Sequence, residues 1–270
     1  MLPDTLETLQ VANLVRPQSF AVAAESSKNS SKMIPLRDEN PTSTTPVVTW
    51  TLVGINVLVF LNQILNGLGQ ANLGRFRFAG LMEYAMVPAW VTGARLAPPF
   101  VPDPPLTIFT SMFLHGGWMH ILGNMVYLVV FGNNIEDRLG HVKFLLFYLG
   151  SGFLAAFAHI LSDPTSPIPT VGASGAIAGV MGAYIVSYPS ARVICAVFLG
   201  FFYTTIEVPA IIVLGVWILT QVGSATMQAG TQMGGGVAYL AHIGGFFGGI
   251  VLLFLLGGGK GRAASRSHMD

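Results

Sequence analysis

Val171-Gly172-Ala173-Ser174-Gly175-Ala176-Ile177-Ala178-Gly179 sets a single serine among small residues at the opening of an apolar helix. Gly175, Gly179 and Ala183 recur at every fourth position, and Ala241, Gly245 and Gly249 repeat that spacing on a later apolar stretch. Small residues four apart let two helix backbones approach closely within lipid. Such packing belongs to an all-α polytopic membrane protein, and the composition agrees. Of 270 residues, 52% are hydrophobic and 9% charged, against roughly 25% charged in an ordinary soluble domain. The bilayer is the natural solvent for such a chain.

The same numbers exclude other classes. A formal charge of +1 leaves no footprint for nucleic acid. The single cysteine, Cys195, rules out an internal disulfide and a Cys-rich metal site. No cofactor is implied.

Reading outward, residues 1–46 are polar, rich in Ser and Pro, and read as a disordered tail. No basic n-region with an apolar h-region precedes them, so no cleavable signal is expected, and Met33 is a candidate natural start. Residues 47–257 form a domain expected to hold six spans, beginning with Val47 to Leu65. The connection from Asn66 to Pro105 is broken by prolines and carries aromatics, as expected of a segment lying in the membrane interface. The second span is expected from Trp118 to Phe131, extended by Thr107 to Leu114, with Gly132 to Gly140 as a polar turn. The third covers Val142 to Leu161, and the fourth Ser174 to Tyr188, short for a full crossing. Pro189 to Pro209 reads as a re-entrant or interfacial connection. Ala210 to Ser224 and Val237 to Leu256 complete the six, and residues 258–270 are a short tail.

Six spans put both termini on one side. With the termini inside, ten of the 13 Lys and Arg residues lie in inner segments, and Arg75, Arg77 and Arg95 lie outside. That bias favours cytoplasmic termini, with Ser174 near the outer face of what would be a bacterial plasma membrane.

Polar groups inside a span are costly and count as functional candidates by default. They are His115, His120, Asn124, Ser174 and His242, with His159 and Gln221 nearer span ends. His242 reads either as a packing histidine bonded to a carbonyl or as a general base. Ser174 reads as one more small interface residue or as the nucleophile that base would serve. His120 and Asn124, four apart on one helix face, are an interhelical hydrogen-bond pair or two donors for an oxyanion. His115 lies about 140° around the helix from His120, so the two would not chelate a metal from one face. No His-Glu-x-x-His is present.

The set His115, His120, Asn124, Gly172-Ala173-Ser174-Gly175 and Ala241-His242-Ile243-Gly244-Gly245 resembles the rhomboid family of intramembrane serine proteases. Gly132, Glu136 and Gly140, four apart, resemble a turn of the same family. The resemblance implies a six-helix core, a water-filled cavity, Ser174 as nucleophile and His242 as base. It implies an oxyanion hole of His120, Asn124 and the Ser174 N–H, and no cofactor or metal. It further implies transmembrane protein substrates, reached through the membrane lipid and weakened as helices by Gly or Pro. Oligomeric state is not indicated.

Two departures stand out. Where many rhomboids have a tyrosine four residues after the serine, stacked on the histidine, this chain has Ala178. Trp90 is followed by Val91 where many have a Trp-Arg pair. The alternative reading is a catalytically silent rhomboid-like protein that binds membrane clients, whose mark would be loss of Ser174 or His242. A proton-conducting channel would need polar residues continuing along the helices. Ile177 to Ile185 and Phe246 to Leu256 are apolar instead.

Overall fold

A computed structural model describes residues 33–68, 79–101, 103–199, 202–229 and 237–257. Residues 1–32 and 258–270, and the segment 230–236, lie outside the described residues.

Six long helices carry the fold: α1 (Val47–Leu68), α2 (Trp118–Leu139), α3 (His141–Ser162), α4 (Ser174–Ser187), α5 (Ala210–Ala229) and α6 (Tyr239–Leu255). Among the described residues α1, α3 and α5 are long and apolar enough to cross a membrane. Thr107–Phe113 and α2 pass the same test together across a 92° bend at residues 114–117, and make a fourth crossing if the bent pair is one span. With 14 and 17 residues, α4 and α6 reach only about 21 and 26 Å at 1.5 Å per residue, against ~30 Å of hydrocarbon. Length alone therefore does not establish the six-span count.

Burial explains the short helix. Every residue of α4 from Ala176 to Tyr184 is buried, so α4 is the axis of the bundle and meets little lipid. Around it, large apolar side chains face outward, as Leu58 (68% exposed) on α1 and Leu219 (70%) on α5 do. Outward leucines are what a hydrocarbon solvent selects.

The glycine stripes mesh as the spacing predicts. A side chain added at Gly245 would strike the Gly175 carbonyl, and one at Gly249 the Gly179 carbonyl. Gly182, outside the four-residue stripe, makes the same close approach to the Phe246 carbonyl. On the opposite flank of α6, Gly244 abuts Ala158 and Gly248 abuts Leu154 of α3.

Three expectations are corrected. Gly132 to Gly140 is not a turn: α2 runs through to Leu139, and only Gly140, at φ 79°, breaks the chain before α3. Pro189 to Pro209, read as a re-entrant or interfacial connection, is regular secondary structure. It is an antiparallel hairpin of β2 (Arg192–Leu199) and β3 (Phe202–Pro209). Third, the stretch expected to be a disordered tail contributes β1 (Met33–Asp38), which pairs antiparallel with β2 to give a sheet ordered β1-β2-β3. Val, Ile, Thr, Phe and Tyr dominate β2 and β3, and such residues suit a pleated strand better than a short interfacial helix.

The Asn66–Pro105 connection is partly structured, with single helical turns at Ala79–Met82 and Pro88–Val91. Met86 and Thr170 exchange backbone hydrogen bonds of 3.2 and 2.8 Å, and Ala89 N–H donates to the Ser166 carbonyl. The connection is thereby pinned over the α3–α4 link, at the end of the bundle where α4 begins.

Candidate active site

Ser174 is the first residue of α4, where the four leading N–H groups have no helical carbonyl to bind. His242 lies in the first turn of α6. The glycine contacts between these helices set their backbones close enough for the two side chains to meet. Ser174 Oγ and His242 Nε2 are 2.8 Å apart. No carboxylate takes the far side of the imidazole. His242 Nδ1 lies 2.8 Å from Gln221 Oε1 on α5, and the Trp217 ring packs 5.7 Å from the imidazole at 36°.

Gly172 governs what can stand beside the serine. Its φ of 125° is one that residues with a side chain rarely adopt, and its N–H donates to the Ser111 carbonyl. A Cβ there would lie 2.7 Å from His120 Nε2 and 3.7 Å from Ser174 Oγ. His120 Nε2 therefore packs against the bare Cα of Gly172, with Ser174 Oγ also beside that position. His120 Nδ1 accepts the Gly116 N–H at 3.3 Å, so the ring proton sits on Nε2, facing Gly172.

Asn124, one turn along α2, is 7% exposed, and its Nδ2 has no hydrogen-bond partner among the described residues. A buried donor without an acceptor is normally destabilising. His115 is buried against His120 and Phe60, with ring centroids 5.2 and 6.4 Å away, and neither ring nitrogen is bonded. Its backbone is held by Gln63 through the pair His115 N–H to Oε1 and Nε2–H to the His115 carbonyl. Ala178, at the position where many rhomboids carry a tyrosine, is fully buried.

Ser174, His242 and His120 thus converge, Asn124 lies on the same helix face as His120, and His115 is packed behind. The profile of the Rhomboid domain matches residues 103–259, more than half of the chain. The chain belongs to the rhomboid family. It is an integral membrane protein, as the rhomboid fold and its apolar helices require.

Several rhomboid relatives align with it. YdcA of Bacillus subtilis (strain 168), named as a candidate rhomboid protease, is 37% identical over 78 residues, 29% of this chain and 39% of that one. RHOMBOID-like protein 7 of Arabidopsis thaliana is 34% identical over 153 residues, 55% of this chain and 42% of that one. Rhomboid protein 1, mitochondrial, of Saccharomyces cerevisiae is 28% identical over 151 residues, 54% of this chain and 40% of that one. The chain spans about two fifths of the length of these relatives.

Sequence reasoning did not pair His242 with the two α5 residues that lie beside it, Trp217 and Gln221. Trp217 was passed over as an apolar residue of a span, and Gln221 was noted only as a polar group near a span end. One signal could have found them: they are four apart, so they share one face of α5.

Proposed function

We propose that this rhomboid is an intramembrane serine endopeptidase, cutting peptide bonds in or near transmembrane segments of membrane proteins by a Ser174–His242 dyad. The carrying observation is the 2.8 Å contact between Ser174 Oγ and His242 Nε2. Ser174 Oγ attacks the scissile carbonyl carbon as His242 Nε2 takes the hydroxyl proton. The oxyanion receives hydrogen bonds from the Asn124 amide, His120 Nε2–H and the Ser174 N–H. His242 then gives its proton to the departing amine as the C–N bond breaks, leaving an ester on Ser174. Water attacks that ester while His242 takes its proton. Collapse returns the proton to Ser174 Oγ and releases the new carboxyl end.

The unbonded Asn124 donor and the His120 Nε2–H support this reading, because an oxyanion hole needs donors that no protein group occupies. The cation count favours termini in the cytoplasm, with the dyad then toward the opposite face. Substrates are then single helices that enter laterally, and a Gly or Pro near the cut frees the scissile carbonyl from its own helix.

The test is cleavage of a single-span reporter in proteoliposomes, comparing wild type with Ser174→Ala and His242→Ala. Both variants should be inactive, and a fluorophosphonate should label wild type at Ser174. Cleavage that survives either substitution overturns the dyad.

A further inference from the structure

A serine–histidine pair works as nucleophile and base only if the imidazole offers its lone pair to the serine. That requires the proton on the other ring nitrogen, and in serine hydrolases with a triad a carboxylate holds it there. His242 lacks a carboxylate partner. The hydrogen-bond partners of its ring among the described residues are Ser174 and Gln221.

The network around Gln221 decides the direction of every bond. Thr220 Oγ1–H donates to the Trp217 carbonyl at 2.6 Å, so the Thr220 oxygen can only accept from its other neighbour. That neighbour is Gln221 Nε2, 3.3 Å away, which also lies 3.5 Å from the Trp217 carbonyl. Two acceptors therefore face the amide NH2, and the amide oxygen is left facing His242 Nδ1 at 2.8 Å. An amide oxygen can only accept. Nδ1 must carry the proton, and Nε2 is left as the acceptor for Ser174 Oγ–H.

We propose that Gln221 is the positioning residue of the dyad, a neutral third member that fixes His242 in its Nδ1–H tautomer, with Trp217 packed against the imidazole where α4 supplies only Ala178. This rests on the hydrolase reading of Ser174 and His242 for its consequence, although not for its geometry. A neutral amide orients the ring without stabilising the imidazolium as a carboxylate would. The other titratable groups facing His242, His120 of α2 and His159 of α3, bring no negative charge. Gln221 thus decides which nitrogen is basic, and the site carries no charge before substrate arrives.

The experiment compares full-length wild type with Gln221→Met, which keeps length and removes the acceptor, and Gln221→Glu, which keeps an acceptor and adds charge. One readout is independent of turnover: ¹⁵N shifts of labelled histidines, with His242 assigned from the His242→Gln spectrum. Wild type should show a single Nδ1–H tautomer and Gln221→Met a mixture. In reporter cleavage Gln221→Met should lower kcat roughly 10–100-fold at unchanged KM, below the roughly 10²–10⁴-fold that the base as a whole supplies. Gln221→Glu should restore cleavage and move the acid limb of the kcat profile up by roughly one to three pH units, a shift no purely structural role produces. A Gln221→Met protein that keeps the single tautomer, or cleaves within twofold of wild type, overturns the proposal. A wild type that neither cleaves nor labels while the tautomer still depends on Gln221 would sink the protease reading and leave the positioning role intact.

Discussion

The two ends of the helix bundle treat buried polar groups in opposite ways. At the end where α2 meets α3, carboxylates are surrounded by donors. Glu136, fully buried, accepts Val48 N–H at 2.8 Å, Thr49 N–H and Thr49 Oγ1–H at 2.7 Å each, and sits 2.6 Å from His141 Nδ1. Its neighbour Asp137 accepts from the backbone and hydroxyl of both Ser43 and Thr44. Glu136 thereby caps the start of α1, binding N–H groups that no helical carbonyl reaches, and Asp137 holds the residues just before it. At the Ser174 end the groups are neutral, and Asn124 Nδ2 and both His115 ring nitrogens lack a partner among the described residues, whereas the unbonded atoms at the first end include Asn134 Oδ1 and Ser187 Oγ. The first end is built to hold helices together. On the proposed mechanism the second keeps donors free for an oxyanion that forms only transiently.

The comparison is broken if a substitution at the Ser174 end lowers stability as much as activity. Gly172→Ala is the most severe trial, because it adds a side chain at φ 125° and drives it into His120 Nε2. Displacing an oxyanion donor while straining the turn should lower kcat/KM by roughly 10³-fold. The reporter assay reads it, and Tm measured in the same micelles should fall only slightly. Asn124→Ala should lower the rate about 10²-fold while leaving Tm unchanged or raised, since it deletes a buried donor with no partner. A rate within twofold of wild type would demote Asn124 to packing.

The helical membrane architecture was legible because small residues at a spacing of four in so apolar a chain point to helices packed closely in lipid, and the Ser174–His242 contact follows from two such stripes meeting. Gly175, Gly179, Gly245 and Gly249 met as that spacing implies. The hairpin was hidden by its own chemistry. Val193, Ile194, Val197 and Phe198 are as apolar as any span, and their strand period was masked by the expectation that apolar means helix. The extent of α2 was hidden differently. Asn133, Asn134, Glu136, Asp137 and Arg138 look like a solvated turn, yet Asn134 and Glu136 are buried because they bond chain ends that arrive from elsewhere. Gln221 escaped for a related reason: its partner lies 21 residues away on another helix, and no local pattern announces such a contact.

At the carboxylate end the expected signature reverses. Glu136→Gln keeps the shape but turns one oxygen into a donor facing the N–H groups of α1, where only acceptors fit. About 2–3 kcal/mol of stability should be lost, read as a fall in Tm, while kcat per folded molecule stays near wild type. A kcat that falls with Tm held would mean that the two ends are coupled and that the contrast between them is only descriptive.

The smallest effect tests how the sheet is tied to the bundle. Tyr184 of α4 donates its hydroxyl to Asp38 Oδ2 of β1 at 2.5 Å, the link between the axis helix and the N-terminal strand. Burial pushes the Asp38 carboxyl above its usual range, and the Tyr184 hydrogen bond pulls it partly back by favouring the charged form. With the folded value raised, the folded chain holds this proton more tightly than the unfolded one. Stability is therefore greatest below the unfolded value and is lost as pH rises through the folded one. Tyr184→Phe should cost about 1 kcal/mol at neutral pH, where the lost bond was to a carboxylate. The cost should shrink on acidification, because a protonated Asp38 depends less on that donor. Asp38→Asn should abolish the pH dependence of the difference. Thermal unfolding of the variants at pH 7 and pH 5 reads the effect. A Tyr184→Phe penalty identical at both would show that the hydroxyl holds β1 by packing alone, and that this end owes its strength to Glu136 and Asp137.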